Sequence, residues 1–271
     1  VFIEYISRLG SIKDRISDLI CGIGEFILFI MEVFKVVVAK RPNWHLLRDQ
    51  LYQVGVLSLP VVALTGLSTG LVLAAQSFYQ LSDKGLTSVT GLMVAKSMIV
   101  ELGPVLTAFM ITGRIGASMC AEIGSMKVTE QIDALRSMSI NPLRYLVAPR
   151  LIAGILMAPL LTIFSNCMGI LGAYGISIYH FGMTPANFYD PIINQLTHFD
   201  YFISMSKALL FGLLIVSICC YKGMSTKGGA AGVGRITTNS VVICYTVILF
   251  SNFLLTITLN LIRITLNLRN I

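Results

Sequence analysis

The stretch EIGSMKVTEQIDALRSMSINP, residues 122–142, holds five charged residues between two long apolar segments. Val128, Ile132, Leu135 and Met138 recur at helical spacing and form one apolar stripe. Lys127 and Glu130 stand three apart, as do Asp133 and Arg136, so opposite charges neighbour one another on the polar side. Asn141-Pro142 closes the pattern, because a residue before proline avoids helical geometry. Thr129 suits a helix cap only if the helix begins there. The spacing predicts a short amphipathic helix at a membrane surface, with two uses open to it: resting on lipid headgroups, or docking a soluble protein.

The flanks explain why a membrane is invoked. The chain has 271 residues, 55% apolar and only 12% charged, about half the charge of a soluble domain. Apolar runs of bilayer length recur at about 54–79, 92–120, 146–179, 201–221 and 241–262. The fold class is therefore an all-α integral membrane protein with five spans, and the amphipathic stretch lies between spans two and three. The N-terminal region, residues 1–48, reads as a helix over 19–39 interrupted by Glu25, Glu32 and Lys35, followed by a basic segment with the single Trp44. Charges at the bilayer centre are costly, which favours a helix lying in the interface; a true span with its charges turned inward is the alternative.

Loop charge sets the orientation. Lys35, Lys40, Arg41 and Arg48 precede span one; Arg114, Lys127, Arg136, Arg144 and Arg150 surround the second loop; Lys222, Lys227 and Arg235 lie between spans four and five. The alternate loops carry Lys84, or no lysine or arginine at all. The positive-inside rule places the N-terminus and residues 122–142 in the cytoplasm and the C-terminus outside, against which Arg263 and Arg269 count mildly. The net charge of +7 belongs to these loops. No basic patch interleaves with aromatics, so nucleic acid is not an expected partner. The six cysteines make no C-x-x-C pair and read as reduced, small apolar side chains, and the three histidines suggest no metal site. KGGAAGVGR, residues 227–235, lacks the Lys-Ser/Thr ending of a phosphate loop and reads as a flexible loop. Gly66 with Gly70, Gly113 with Gly116 and Gly169 with Gly172 permit close helix packing, within one subunit or across a dimer seam.

Two ionisable residues fall at membrane depth, Glu101 in span two and Lys207 in span four. They need partners or water: a structural ion pair, or a polar spot in a cavity. Pro104 loosens the helix beside Glu101 and frees carbonyls. Leu71, Gln76 and Tyr79, near the outer end of span one, are candidate lining for acyl chains.

ELGPVLTAFMITGRIGASMCAEIGSMKVTEQIDAL, residues 101–135, followed by INPLRYLVAPRLIAG, residues 140–154, strongly resembles the MlaE family of permeases, the membrane subunits of ABC transporters that move lipid with the help of MCE proteins. The chloroplast Tgd lipid permease belongs to the same group. The pieces E-L-G-P, G-R-x-G-A, A-E-I-G-x-M, T-E-Q-x-D-A-L and N-P-L-R occur in order, and the likeness runs from about residue 50 to 260. The resemblance implies a five-span permease domain over 49–271, with a coupling helix at about 122–140 that contacts an ATPase through Glu122, Glu130, Asp133 and Arg136, and through Ile132 and Leu135. It implies a lipid pocket near Glu101 at a homodimer seam. Many relatives carry an arginine before that glutamate; here Val100 stands there, and Lys207 is the candidate to supply the missing positive charge. It implies ATP and Mg bound by a separate ABC ATPase, an MCE protein outside, a STAS-domain protein on the ATPase, and residence in a bacterial inner membrane or, alternatively, a chloroplast inner envelope. The cargo would be phospholipid moved between inner and outer membranes, maintaining outer-membrane lipid asymmetry. An ion-coupled carrier and a passive anchor for an MCE protein are the competing functions.

Overall fold

The computed structural model describes residues 21–22, 24–37 and 44–265. Five helical segments in it are long and apolar enough to cross a bilayer: Trp44–Ser82, Thr87–Val128, Leu143–Tyr179, His198–Met224 and Gly229–Thr265. They coincide with the five expected spans and overrun them at the ends. The named elements are α1 (24–37), α2 (Trp44–Val54), α3 (Leu59–Ser82), α4 (Thr90–Ser97), α5 (Gly103–Ile111), α6 (Ala117–Val128), α7 (Gln131–Ser137), α8 (Ala148–Tyr179), α9 (Pro185–Gln195), α10 (His198–Met224) and α11 (Gly229–Thr265). Three π-helical turns, Met98–Leu102, Thr112–Gly116 and Leu143–Val147, sit inside the second and third spans.

Span three is the hub. Spans one and three press together where side chains are absent: a Cβ on Gly70 would strike the Gly169 carbonyl, and one on Gly66 would come within 2.6 Å of the Ser165 carbonyl. Gly116 lies against Cys219 of span four, and Gly113 faces the Tyr245 hydroxyl of span five. All three glycine pairs thus serve packing within the chain. In lipid, where apolar burial drives little, such close backbone approach is what lets helices attract by dispersion and weak polar contacts. Span five is the least enclosed, with Val242, Leu249, Phe250, Phe253, Ile257 and Leu261 exposed along it.

The basic loops gather at one end. Gly223 of span four meets Ile123 of α6, and Gly124 meets Thr226 in the loop before span five. Residues 24–37 dock at that same end: the Tyr221 hydroxyl donates to Glu25 at 3.0 Å, Phe26 and Phe29 flank its ring, and Val33 is buried. The remainder of the N-terminal stretch, residues 1–20, 23 and 38–43, lies outside the described residues, as does Arg269. The opposite end is closed by α9, whose Phe188 is fully buried beside Gly91 and Tyr174. Arg263, which counted against an outer C-terminus, is paired there: it donates to Asp200 at 3.1 Å and to Thr197 at 3.0 Å. That pairing gives Arg263 a structural role that ties the end of span five to the start of span four.

Two sequence expectations change. Residues 229–235 form the opening turns of α11 and not a flexible loop; Gly228 and the first helical residue, Gly229, are both left-handed and make the turn into it. The stripe over 122–140 is two helices, since α6 ends at Val128 and α7 starts at Gln131.

Candidate functional site

The membrane-depth charges meet. Lys207 is fully buried, and its ammonium lies 2.7 Å from Glu101 Oε1. It also donates to Thr256 Oγ1 at 2.9 Å and to the Val100 carbonyl at 3.0 Å. An ammonium has three protons, and here each has an acceptor. Glu101 is partly exposed and accepts in addition from Asn252 at 3.1 Å and from the Thr256 hydroxyl at 2.9 Å. Spans two, four and five are thereby tied at one point.

The backbone explains why Val100 can take part. Its carbonyl would, in an α-helix, accept from the N–H four residues on, which is Pro104 and has none. The π-turn Met98–Leu102 carries the chain past this gap, with the Gly103 N–H bonding the Met98 carbonyl. Gly103 has no alternative there, because a Cβ would overlap the Asn166 side chain. So E-L-G-P is a glutamate, a turn and a freed carbonyl that together receive one lysine. Lys207 consequently has no spare donor for a headgroup in this conformation; Glu101 is the member open to its surroundings. Leu71, Gln76 and Tyr79 have other neighbours: Leu71 lies beside Gly172, Gln76 is exposed, and Tyr79 sets its ring edgewise to Phe181.

The second candidate region is the elbow between α6 and α7. Glu130 takes the left-handed conformation at φ 60°, rare for a residue with a Cβ, and begins α7 as its N-cap. Thr129 does not cap; its hydroxyl bonds back to the Ser125 carbonyl at 2.8 Å. Lys127 pairs with Asp133 at 2.8 Å, not with Glu130 as the helical spacing suggested, because the break swings α7 across the end of α6. That hydrogen bond, foremost, holds the Asp133 carboxyl below its usual range. Arg136 stands 3.5 Å from Asp133. Helix α7 ends before Asn141-Pro142: Ser139 is left-handed, and the Ile140 and Ser139 N–H groups bond the Leu135 and Arg136 carbonyls, a Schellman closure. Asn141 instead starts span three, its side chain accepting from the Leu143 N–H at 2.9 Å.

Ile132 is fully buried against the chain's own core and Leu135 partly so. The apolar face expected to meet a partner is therefore the face that fastens α7 to the bundle. Exposed along α7 and at its two ends are Glu130, Gln131, Asp133, Ala134, Arg136, Ser137 and Met138. Glu122 is also engaged: Arg150, at the start of span three, donates to it at 2.8 Å, and Ser118 donates at 3.0 Å.

These motifs can be compared with known proteins. The family model described as Permease MlaE matches residues 47–258. The chain belongs to the MlaE permease family. It is similar to a Rickettsia bellii protein named "Probable ABC transporter permease protein", 38% identical over 247 residues, 91% of this chain and 95% of that one. A Synechocystis protein of the same description is 38% identical over 224 residues, 83% of this chain and 85% of its own. The Haemophilus influenzae protein named "Intermembrane phospholipid transport system permease protein MlaE" is 33% identical over 259 residues, 94% of this chain and 97% of that one. This family member is accordingly a permease, a multi-pass inner-membrane component of transport.

Within that family frame, the network's two least expected contributors are Asn252 and Thr256. They stand four apart, one helical turn, on one face of span five, and that spacing is the signal that could have marked them.

Proposed function

We propose that this chain is the membrane-spanning subunit of an ATP-driven phospholipid transporter working between inner and outer membranes, where it maintains outer-membrane lipid asymmetry. The single observation that carries the reading is the likeness, over 94% of the chain, to a protein named for intermembrane phospholipid transport. The sequence holds no phosphate loop, so ATP and Mg belong to a separate ABC ATPase. Two copies of the chain pair with two ATPase subunits, an MCE protein stands on the outer side, and a STAS-domain protein sits on the ATPase. The exposed side of span five supplies an apolar face for a second copy.

In this reading the ATPase grips the outward residues of α7, Glu130, Asp133 and Arg136. Motion of α7 passes into α6 through the Lys127–Asp133 pair and into span three through Glu122–Arg150. Span two carries it to Glu101, where three spans converge on Lys207. Glu101 then marks the wall of the lipid cavity, and opening the ion pair would release Lys207 toward a headgroup. An ion-coupled carrier draws little support from a lysine and a glutamate that already satisfy one another, and a passive anchor has no use for a braced elbow.

Co-expression with the ATPase and MCE protein, affinity purification and reconstitution between donor and acceptor vesicles test the reading. Co-purification and phospholipid movement that stops without ATP are expected. Lipid movement that runs undiminished on an ion gradient without nucleotide would refute it.

A further inference from the structure

Arg114, in the G-R-x-G-A motif, takes no part in the Glu101 network or the elbow. It lies in the π-turn Thr112–Gly116, and its guanidinium donates to the buried Ser58 hydroxyl at 2.8 Å. Three carboxylates of the spans answer to other cations: Glu101 to Lys207, Glu122 to Arg150, Asp200 to Arg263. Arg114 therefore brings a full positive charge, with donors to spare, to a cleft of about 320 Å³ between spans one and two. Gln53, Leu57, Ser118, Met119 and Glu122 are among its walls.

The depth of this cleft is set by its neighbours. Ser58 immediately precedes α3, whose 24 residues extend about 36 Å, a little more than the hydrocarbon thickness. Arg114 thus stands at the headgroup level of the basic-end leaflet, the cytoplasmic one by loop charge. Leu57 and Met119 give the cleft an apolar side, while Arg114 gives it a planar fork suited to a phosphate. Ser118 and Glu122 follow at one-turn intervals on the same helical face. Glu122 at the mouth disfavours a ligand that is anionic throughout.

We infer that this cleft is a phospholipid headgroup site of the cytoplasmic leaflet, in which Arg114 holds the phosphate and Leu57 and Met119 flank the start of the acyl chains. It is separate from the Glu101 pocket, toward the other end of span two. The inference rests on the phospholipid reading above.

The test uses the full chain in nanodiscs of phosphatidylethanolamine, with Leu57 replaced by the photo-crosslinker p-benzoylphenylalanine and adducts weighed by mass spectrometry. A phosphatidylethanolamine adduct is expected, reduced roughly tenfold by Arg114→Gln, as loss of a charge-assisted hydrogen bond implies, and only a few-fold by Arg114→Lys, which also shows that the fold tolerates change there. With diacylglycerol of the same chains, Arg114→Gln should make no difference. Equal phosphatidylethanolamine adducts in wild type and Arg114→Gln, or a matching loss with diacylglycerol, would overturn the site. Suppression of the adduct by millimolar inorganic phosphate would assign it to a soluble anion and overturn the lipid assignment. If ATP-driven lipid movement persists while the adduct ignores Arg114, this inference alone fails; if that movement is absent, the transporter reading fails.

Discussion

Replacing Glu101 by glutamine keeps the shape of the side chain and removes its charge, leaving the Lys207 ammonium fully buried with neutral acceptors alone, the Val100 carbonyl, Thr256 and the new amide oxygen. Breaking a buried ion pair by deleting one partner costs about 3–5 kcal/mol. Glu101 is 35% exposed, and neutral acceptors remain for the ammonium, so the lower end applies, about 3 kcal/mol. Adding Lys207→Met removes the stranded charge and restores apolar contact. The double variant is then more stable than Glu101→Gln alone by about 1–2 kcal/mol, although it carries one change more. Reversible unfolding of the detergent-solubilised chain with sodium dodecyl sulfate, followed by far-ultraviolet circular dichroism, measures all four corners of the cycle. Additive losses, with the double variant the least stable, would show that the pair is not coupled and that the site is wrongly drawn.

Other expectations follow from single residues. Gly70→Ala drives a methyl into the Gly169 carbonyl and should cost about 1–3 kcal/mol, while Gly175→Ala, with nothing within 4 Å of the new atom, should be neutral or stabilising by about 0.5–1 kcal/mol; the same unfolding assay separates them. Glu130→Gly relieves a left-handed residue and should stabilise the elbow by about 1 kcal/mol, yet lower ATP-driven lipid transport by removing an outward carboxylate, so the stability and transport assays should move in opposite directions. The Lys127 hydrogen bond depresses the Asp133 pKa, so its bracing of the elbow is complete above the usual aspartate range and is lost as pH falls through the depressed value. Hydrogen exchange of residues 131–137, corrected for intrinsic rate, should lose protection in that acid window and, in Asp133→Asn, already at neutral pH.

The five spans were legible because each is an apolar run of bilayer length, a signal that needs no knowledge of neighbours. The gathering of the basic loops at one end of the bundle was legible from lysine and arginine, while the pairing of Arg263 with Asp200 was not, since it depends on spans four and five being neighbours. The break at Glu130 was hidden. No glycine or proline announces it, and the apolar stripe continues through it, since Ile132 and Leu135 still face the core. Helix α9 was hidden in residues 179–200, which read as a loop between spans three and four; Pro185 at its first helical position is a favourable start. Glu101 and Lys207 could each be placed at membrane depth from sequence, but their meeting depends on which spans are neighbours. The part Val100 plays depends on a missing N–H four residues ahead, a detail that Pro104 carries in plain view.

The central claim is that the outward face of α7 receives an ATPase's stroke. Met138 is exposed on it, and p-benzoylphenylalanine at that position, in membranes containing the assembled complex, tests the claim most directly. The account predicts an adduct with the ATPase whose yield changes when ATP is trapped, and which disappears when Arg136→Glu uncouples transport. An adduct with a protein of the outer compartment, or an ATPase that co-purifies and drives transport without ever being captured from α7, would contradict it.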